Sequence, residues 1–169
     1  MADPRFYSLD GPFALKVLAD IGGTRLHVDA QPDAIIHDVA PIDHAGPGQI
    51  TFLDNTRYLP AFQKSAAQAC VVAPKFADRA PADMSLLLAN NPYKSYALIA
   101  QAFYPMPPTT GQISAGAHIA KTATLGPQCD VSPGVVIQDR ANILKNCRIG
   151  PNAVIGPGVQ IGQDTSIGA

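Results

Sequence analysis

The chain has 169 residues, 47% of them hydrophobic, and a formal net charge of −1, which leaves room for one ordinary core and a smaller second unit. The chain has no run of basic residues, so its charge does not indicate binding to nucleic acid or to a membrane surface. No apolar stretch reaches the ~18 residues that cross a bilayer, and the first residues lack the pattern of a signal peptide, so we expect a cytoplasmic protein.

Residues 1–104 alternate short apolar runs with helical segments, which is typical of an α/β domain. The pair Gly22-Gly23 is expected to end a first helix. That helix is predicted from four apolar residues on one face: Phe13, Val17, Leu18 and Ile21. Strands are predicted at residues 25–28, 35–39, 49–53, 69–73 and 86–89.

Two further helices are predicted in this domain. One spans residues 56–64, although Pro60 weakens its first turns. The other begins after Asn91, which has the character of an N-cap, with Pro92 in its first turn. One face of this helix is formed by Tyr93, Tyr96, Ala100 and Phe103. Residues 105–112 are rich in proline and are interpreted as a stiff linker.

The stretch 45–58 is chemically richer than its surroundings, since a Gly-Pro-Gly turn leads into a strand that ends at Asp54. Phe52 and Tyr58 flank this strand end, so their rings could face each other across a slot for a planar ligand. Asn55 carries both a donor and an acceptor and could read the edge of that ligand. From the residues alone, a core position for both aromatic side chains is the more common case.

From residue 113 onward, a branched apolar residue recurs at every sixth position, which predicts a parallel β-helix. These residues are Ile113, Ile119, Leu125, Val131, Ile137, Ile143, Ile149, Ile155, Ile161 and Ile167. Three six-residue units close one coil, so residues 18 apart should stack in ladders at the strand spacing of ~4.8 Å. Of each six-residue unit, only the branched apolar side chain is expected in the interior of the coil. The glycine that often follows this residue is expected to let the backbone turn.

Residues 113–169 give about three coils at the strand spacing of a sheet. The repeat is still in register at Ala169, with no polar cap or covering helix. An open row of strand N–H and C=O groups would be exposed there. We therefore expect this chain to be a truncated part of a longer protein.

Cys129 and Cys147 are 18 residues apart and should lie one above the other, which allows a metal or redox interpretation. We favour small buried side chains, because both occupy a position where alanine stands in other repeats. Together with Cys70 they do not form a disulfide framework. His118 should point outward at a corner, and one imidazole without a partner is not a catalytic site. No metal and no cofactor are predicted.

Several motifs in a fixed order carry a resemblance to a known family. They are the run 49–55 with Tyr58, the segment 39–41 before it, the segment 91–93 after it, and then the hexapeptide repeats. In combination they resemble the UDP-3-O-(3-hydroxyacyl)glucosamine N-acyltransferases of lipid A biosynthesis. The resemblance covers residues 13–169. Hexapeptide repeats alone mark a large superfamily, whereas this N-terminal domain marks one branch of it.

The resemblance implies a homotrimer with a left-handed β-helix and an active site at a subunit interface. Such enzymes transfer a 3-hydroxyacyl chain from acyl carrier protein to the 2-amino group of UDP-3-O-acylglucosamine. The family's uracil-stacking pair falls on Phe52 and Tyr58, and its nearby asparagine on Asn55. The amine attacks the thioester, with a histidine as general base and backbone amides stabilising the oxyanion. That histidine is expected beyond Ala169, so no catalytic residue is assigned here, and these 169 residues should be inactive alone.

Three alternatives remain open. A trimeric carbonic anhydrase of the β-helix type needs three histidines around zinc, whereas the repeats contain only His118. A non-catalytic protein could combine a nucleotide-binding module with a trimer scaffold. Another hexapeptide acyltransferase could act on a different nucleotide sugar, because the stacking motif favours the nucleotide and not the identity of the sugar.

Overall fold

The computed structural model describes residues 5–169, so the first four residues of the predicted 1–104 domain lie outside the described range. The chain divides between Met106 and Pro107 into two compact units. The first unit contains a mixed sheet with helices, and the second is built from stacked short parallel strands. None of the helices within residues 5–169 has the length and apolar content needed to span a membrane.

The first unit is an α/β domain, as predicted. Its elements are β1 (Phe13–Ala14), α1 (Leu15–Gly22), β2 (Arg25–Leu26), β3 (Ile35–Ile36), β4 (Asp38–Val39), β5 (Gln49–Leu53), a 3-10 helix (Thr56–Tyr58), α2 (Leu59–Phe62), β6 (Ala69–Val72), a second 3-10 helix (Pro74–Arg79), β7 (Ser85–Leu88) and α3 (Pro92–Phe103). All five predicted strand regions are confirmed, whereas the short strand β1 was not foreseen by the sequence pattern.

Five strands form the main sheet in the order β2-β7-β6-β5-β4. Strands β4 to β7 run parallel, and β2 is antiparallel to β7. Successive residues of β5 point to opposite sides of the sheet. Ile50 therefore joins a core with α1 and α3, and Leu53 joins a second core with Phe62. Because β4 to β7 are parallel, their carboxyl ends lie together at one edge of the sheet.

The buried face of α1 differs from the predicted one. Phe13 lies in β1, where it pairs with Ile36, and Val17 and Ile21 are partly exposed. The buried residues are Leu15, Leu18, Ala19 and Gly22. The face is set by contact with α3, because a side chain at Gly22 would begin only 3.1 Å from Ile99 Cδ1.

The predicted start of α3 is confirmed, since Asn91 Oδ1 accepts a hydrogen bond from Lys94 N at 3.0 Å and Pro92 opens the helix. The buried residues of this helix are Pro92, Ser95, Ile99 and Phe103. Of the predicted face, only Phe103 is fully buried, and Tyr93 is 64% exposed. The helix predicted at 56–64 is divided into the 3-10 helix and α2, with Pro60 in the first turn of α2.

The second unit contains nine two-residue strands. They are β8 (His118–Ile119), β9 (Thr124–Leu125), β10 (Asp130–Val131), β11 (Val136–Ile137), β12 (Asn142–Ile143), β13 (Arg148–Ile149), β14 (Val154–Ile155), β15 (Gln160–Ile161) and β16 (Ser166–Ile167). They form three parallel sheets, β8-β11-β14, β9-β12-β15 and β10-β13-β16. Each residue pairs with the residue 18 positions later, as Ile119 does with Ile137. The predicted ladders of a parallel β-helix are confirmed.

The interior of this unit holds more than the ladder residues, so the expectation of a single interior position per repeat is wrong. The compact residues four positions later are also buried: Cys129, Val135, Ala141, Cys147 and Ala153. The thiols of Cys129 and Cys147 are free and donate to the carbonyls of Leu144 and Gly162 at 3.1 and 3.0 Å. The interpretation of both cysteines as small buried side chains is confirmed.

The predicted role of the glycines after the ladder residues is also wrong. The left-handed backbone conformation falls instead two positions after those glycines, as at Gln128 after Gly126. It recurs every six residues, at Gln128, Gly134, Arg140, Asn146, Asn152, Gly158 and Asp164. Gly126 and Gly150 instead give clearance between coils. A Cβ on Gly126 would lie 2.5 Å from Lys145 N, and one on Gly150 would lie 2.8 Å from the carbonyl carbon of Gly168.

The segment before the first ladder residue is held by one carboxylate. Asp130 Oδ1 accepts hydrogen bonds from the backbone N–H groups of Thr110, Gly111 and Gln112 at 2.9, 2.9 and 3.1 Å. Arg148 lies 3.6 Å from Asp130 Oδ2 and donates to the Pro107 carbonyl at 2.9 Å. The later part of the predicted linker 105–112 is thus bound to the second unit.

Gly126→Ala should destabilise the second unit by about 1–3 kcal/mol, the usual cost of forcing atoms into a packed site. The reason is that its Cβ would collide with the backbone of Lys145. Gly156→Ala is the matched control, because its Cβ would meet only Val159 Cγ2 at 3.7 Å. Thermal unfolding followed by circular dichroism measures both, and equal melting temperatures would contradict the clearance role.

Asp130 should make stability depend on pH. The Thr110 N–H, followed by those of Gln112 and Gly111, lowers the pKa of this carboxyl. A lowered folded-state pKa means that the stabilisation is present above about pH 4 and is lost as the pH falls through the folded-state value. The melting temperature of Asp130→Asn should therefore lie below that of the parent at pH 7, and the difference should shrink below about pH 4.

The control is Asp83→Asn, which makes the same change in charge at an exposed position. It should keep the pH profile of the parent. A constant difference between parent and Asp130→Asn from neutral to acid pH would show that the carboxylate charge is not what holds residues 110–112.

Candidate functional site

An open cleft of about 410 Å³ lies at the edge where β4 and β5 end. We call it the aromatic cleft, and it is lined by Pro41, Ile42, Asp43, Phe52, Leu53, Asp54, Asn55, Tyr58 and Tyr93. Residues 41–43 follow β4, residues 54–58 follow β5, and Tyr93 stands in the first turn of α3. Ligands of open α/β sheets bind outside the carboxyl ends of the strands, which is the position of this cleft.

The structure brings Phe52, Asn55 and Tyr58 together in the lining of the aromatic cleft. The ring of Phe52 is stacked on Tyr96, with centroids 4.4 Å apart and planes inclined by 27°. It also meets Tyr93 edge to face, at 5.9 Å and 67°. The side chain of Tyr58 is half exposed in the same cleft. The ring neighbours of Phe52 are thus the tyrosines of α3, whereas the sequence pattern suggested that it would face Tyr58.

Asn55 has a structural role beside any role in binding. Its Oδ1 accepts a hydrogen bond from Arg57 N at 2.9 Å and so caps the 3-10 helix that carries Tyr58. The carboxamide nitrogen Nδ2 is the donor that Asn55 can offer to a ligand. This hydrogen bond orients the carboxamide, because it holds Oδ1 at the backbone and leaves Nδ2 as the free donor.

Tyr93 and Tyr96 are the residues of this region that the sequence pattern did not assign to a site. Tyr96 supports Phe52 from α3, and its hydroxyl donates to the Ala40 carbonyl at 3.4 Å. Burial, followed by the charge of Asp38, raises the pKa of Tyr96 to about 12. The available signal was their spacing of three residues on α3, which is also the spacing of a core face.

The lining of the aromatic cleft offers rings, carboxylates and one carboxamide, but no pair of nucleophile and base. Burial raises the pKa of the Cys70 thiol and keeps it protonated. His118 lies exposed on β8 in the second unit. Throughout residues 5–169, no three or more His, Cys, Asp or Glu side chains are grouped so that they could hold a metal ion. The chemistry that this cleft supports is the binding of a planar ring.

Both units contain segments that match known protein families. Residues 140–169 match the family model of the bacterial transferase hexapeptide, described as six repeats, so the second unit is of the hexapeptide transferase class. Residues 33–102, which build the aromatic cleft, match the model described as UDP-3-O-(3-hydroxymyristoyl) glucosamine N-acyltransferase, LpxD. The resemblance to this family that the sequence shows is confirmed over the residues that these matches cover.

Curated relatives with the name UDP-3-O-acylglucosamine N-acyltransferase agree with this assignment. The protein of Parvibaculum lavamentivorans is 44% identical over 105 residues, which are 62% of this chain and 30% of the relative. That of Granulibacter bethesdensis is 35% identical over 131 residues, or 78% of this chain and 38% of the relative. One from Legionella pneumophila, with the suffix 2, is 35% identical over 134 residues, or 79% and 39%. The matched part of the chain thus corresponds to 30–39% of the length of these relatives.

The two tyrosines of α3 should differ in their contribution to stability. Tyr96→Ala should cost about 2–3 kcal/mol, because it removes a largely buried ring that stacks on Phe52. Tyr93→Ala should cost less than about 1 kcal/mol, since the side chain is mostly exposed. Urea unfolding of both variants measures the difference. Equal losses would contradict the assignment of Tyr96 as the support of Phe52.

Proposed function

We propose that the first unit is the uridine-nucleotide-binding domain of a UDP-3-O-acylglucosamine N-acyltransferase. The whole enzyme would transfer a 3-hydroxyacyl chain from acyl carrier protein to the 2-amino group of UDP-3-O-acylglucosamine in lipid A biosynthesis, in the cytoplasm. The observation that carries this proposal is the aromatic cleft, which lies at the carboxyl edge of the sheet and within the residues that match the family.

In this proposal the uracil ring stacks against Phe52 and Tyr58, and Asn55 Nδ2 donates to a carbonyl oxygen of the base. Stacking of a base on an aromatic side chain contributes about 1–3 kcal/mol. Tyr96 keeps Phe52 in place before the ligand arrives, so little ordering entropy is lost on binding. The sugar and its acyl chain extend from the base toward the reacting groups.

The second unit would serve as the scaffold of a homotrimer, with a left-handed winding of about three coils, each at the strand spacing of a sheet. The proposed domain bounds are 1–104, 105–112 and 113–169. The amine would attack the acyl thioester while a histidine accepts its proton. The family resemblance implies that this histidine lies outside these 169 residues, and His118, which is exposed on β8, is not proposed in its place. The chain alone should bind ligand weakly and should not transfer acyl groups.

Uridine monophosphate should bind to the 169-residue chain, and both Phe52→Ala and Tyr58→Ala should weaken binding at least about fivefold, the low end of the loss of one stacked ring. Calorimetric titration and saturation-transfer NMR measure this. Tyr7→Ala is the matched control, since Tyr7 is 57% exposed and contacts Tyr104, outside the cleft. Equal affinity of all four proteins would exclude the aromatic cleft as the nucleotide site.

A pair of variants at position 55 separates folding from recognition. Asn55→Asp keeps an acceptor for Arg57 N but has no amide donor, whereas Asn55→Ala loses both. The aspartate variant should keep the melting temperature of the parent and bind uridine monophosphate more weakly. The alanine variant should in addition lose about 1 kcal/mol of stability. Unchanged affinity in Asn55→Asp would remove this residue from the proposed site.

A further inference from the structure

We infer that Tyr93 limits the aromatic cleft to bases with a single ring, so that it selects pyrimidine over purine nucleotides. The inference deepens the proposed function and rests on it. It concerns a residue that the sequence pattern placed on a helix face and that the structure places in the cleft lining.

Phe52 has only one ring face available to a ligand. Tyr96 covers the other face, since the two rings are stacked at 4.4 Å with an inclination of 27°. A base that stacks on Phe52 lies nearly parallel to it. The free side of Phe52 that lines the cleft therefore sets the plane of the bound base.

Tyr93 lines the same cleft as Phe52, and its ring is steeply inclined to that of Phe52. Its ring centroid is 5.9 Å from that of Phe52, and its plane is inclined by 67°. A base parallel to Phe52 meets Tyr93 at the same steep angle, so it contacts this ring with its edge and cannot extend past it. The second ring of a purine needs that additional length, whereas a pyrimidine ends before it.

Tyr93 is exposed but its backbone is fixed, which allows it to act as a wall. Pro92, which precedes it, is buried and has its φ fixed by its ring. Asn91 Oδ1 holds the N–H of the following residue, Lys94, at 3.0 Å. These contacts hold the first turn of α3 in place, so a larger base would require rotation of the Tyr93 side chain away from Phe52.

Charge does not provide this discrimination. The carboxylates in the lining, Asp43 and Asp54, repel any nucleoside monophosphate equally, because such ligands carry the same phosphate. A comparison of uridine monophosphate with adenosine monophosphate therefore reports on the base alone. The two bases also differ in the hydrogen-bonding groups of their edges. Asn55 is the same in all the variants below, so its contribution cancels when the ratio of the two affinities is compared between variants.

The experiment is a calorimetric titration of both nucleotides into the 169-residue parent, Tyr93→Ala, Tyr93→Phe and the control Tyr7→Ala. The parent and the control should bind uridine monophosphate about tenfold or more tightly than adenosine monophosphate. Tyr93→Phe keeps the ring and should keep this ratio. Tyr93→Ala removes the wall and should reduce the ratio at least about fivefold, through tighter binding of the purine nucleotide.

The outcomes distinguish the inference from the function on which it rests. If Phe52→Ala abolishes binding of uridine monophosphate but Tyr93→Ala leaves the ratio unchanged, the inference is overturned and the proposed function stands. A parent that binds both nucleotides equally well also overturns the inference alone. A folded parent that binds neither nucleotide overturns both. Melting temperatures of all variants confirm that they are folded.

Discussion

The stack of Phe52 on Tyr96 is the contact on which the candidate site depends. It joins the carboxyl-terminal end of β5 to the first half of α3. It decides which face of Phe52 is available in the cleft that Tyr93 also lines. Without this contact the aromatic cleft would be a loop surface between two strand ends. It would then define neither the plane of a bound base nor the length available to it.

The six-residue period was enough to predict the β-helix, because each ladder position repeats one kind of side chain and the strand spacing fixes the stacking. The sequence rule was less informative about the turns. Left-handed conformations fall on residues as different as Gln128, Arg140 and Asn152, so no single residue type marks them. Proline precedes four of the left-handed residues, Gln128, Gly134, Asn152 and Gly158, and was a signal that could have located them.

In the first unit the strands and the start of α3 followed from local chemistry, namely short apolar runs, an N-cap and a first-turn proline. The buried helix faces did not, because they depend on how α1 docks on α3 at Gly22. The same limit applies to the site. Asn55 and Tyr58 belong to one local turn and could be grouped from the sequence, whereas Tyr93 enters the cleft only through the docking of α3 beside β5.

The pairing of each residue with the one 18 positions later restricts how this unit can change in length during evolution. Inserting or deleting a single residue would shift every later side chain off its ladder and move apolar groups to the outer surface. A change of six residues would preserve the interior but transfer each following outer residue to a different side of the prism. Only gains or losses of 18 residues leave both interior and surface intact, so whole coils are the natural unit of divergence.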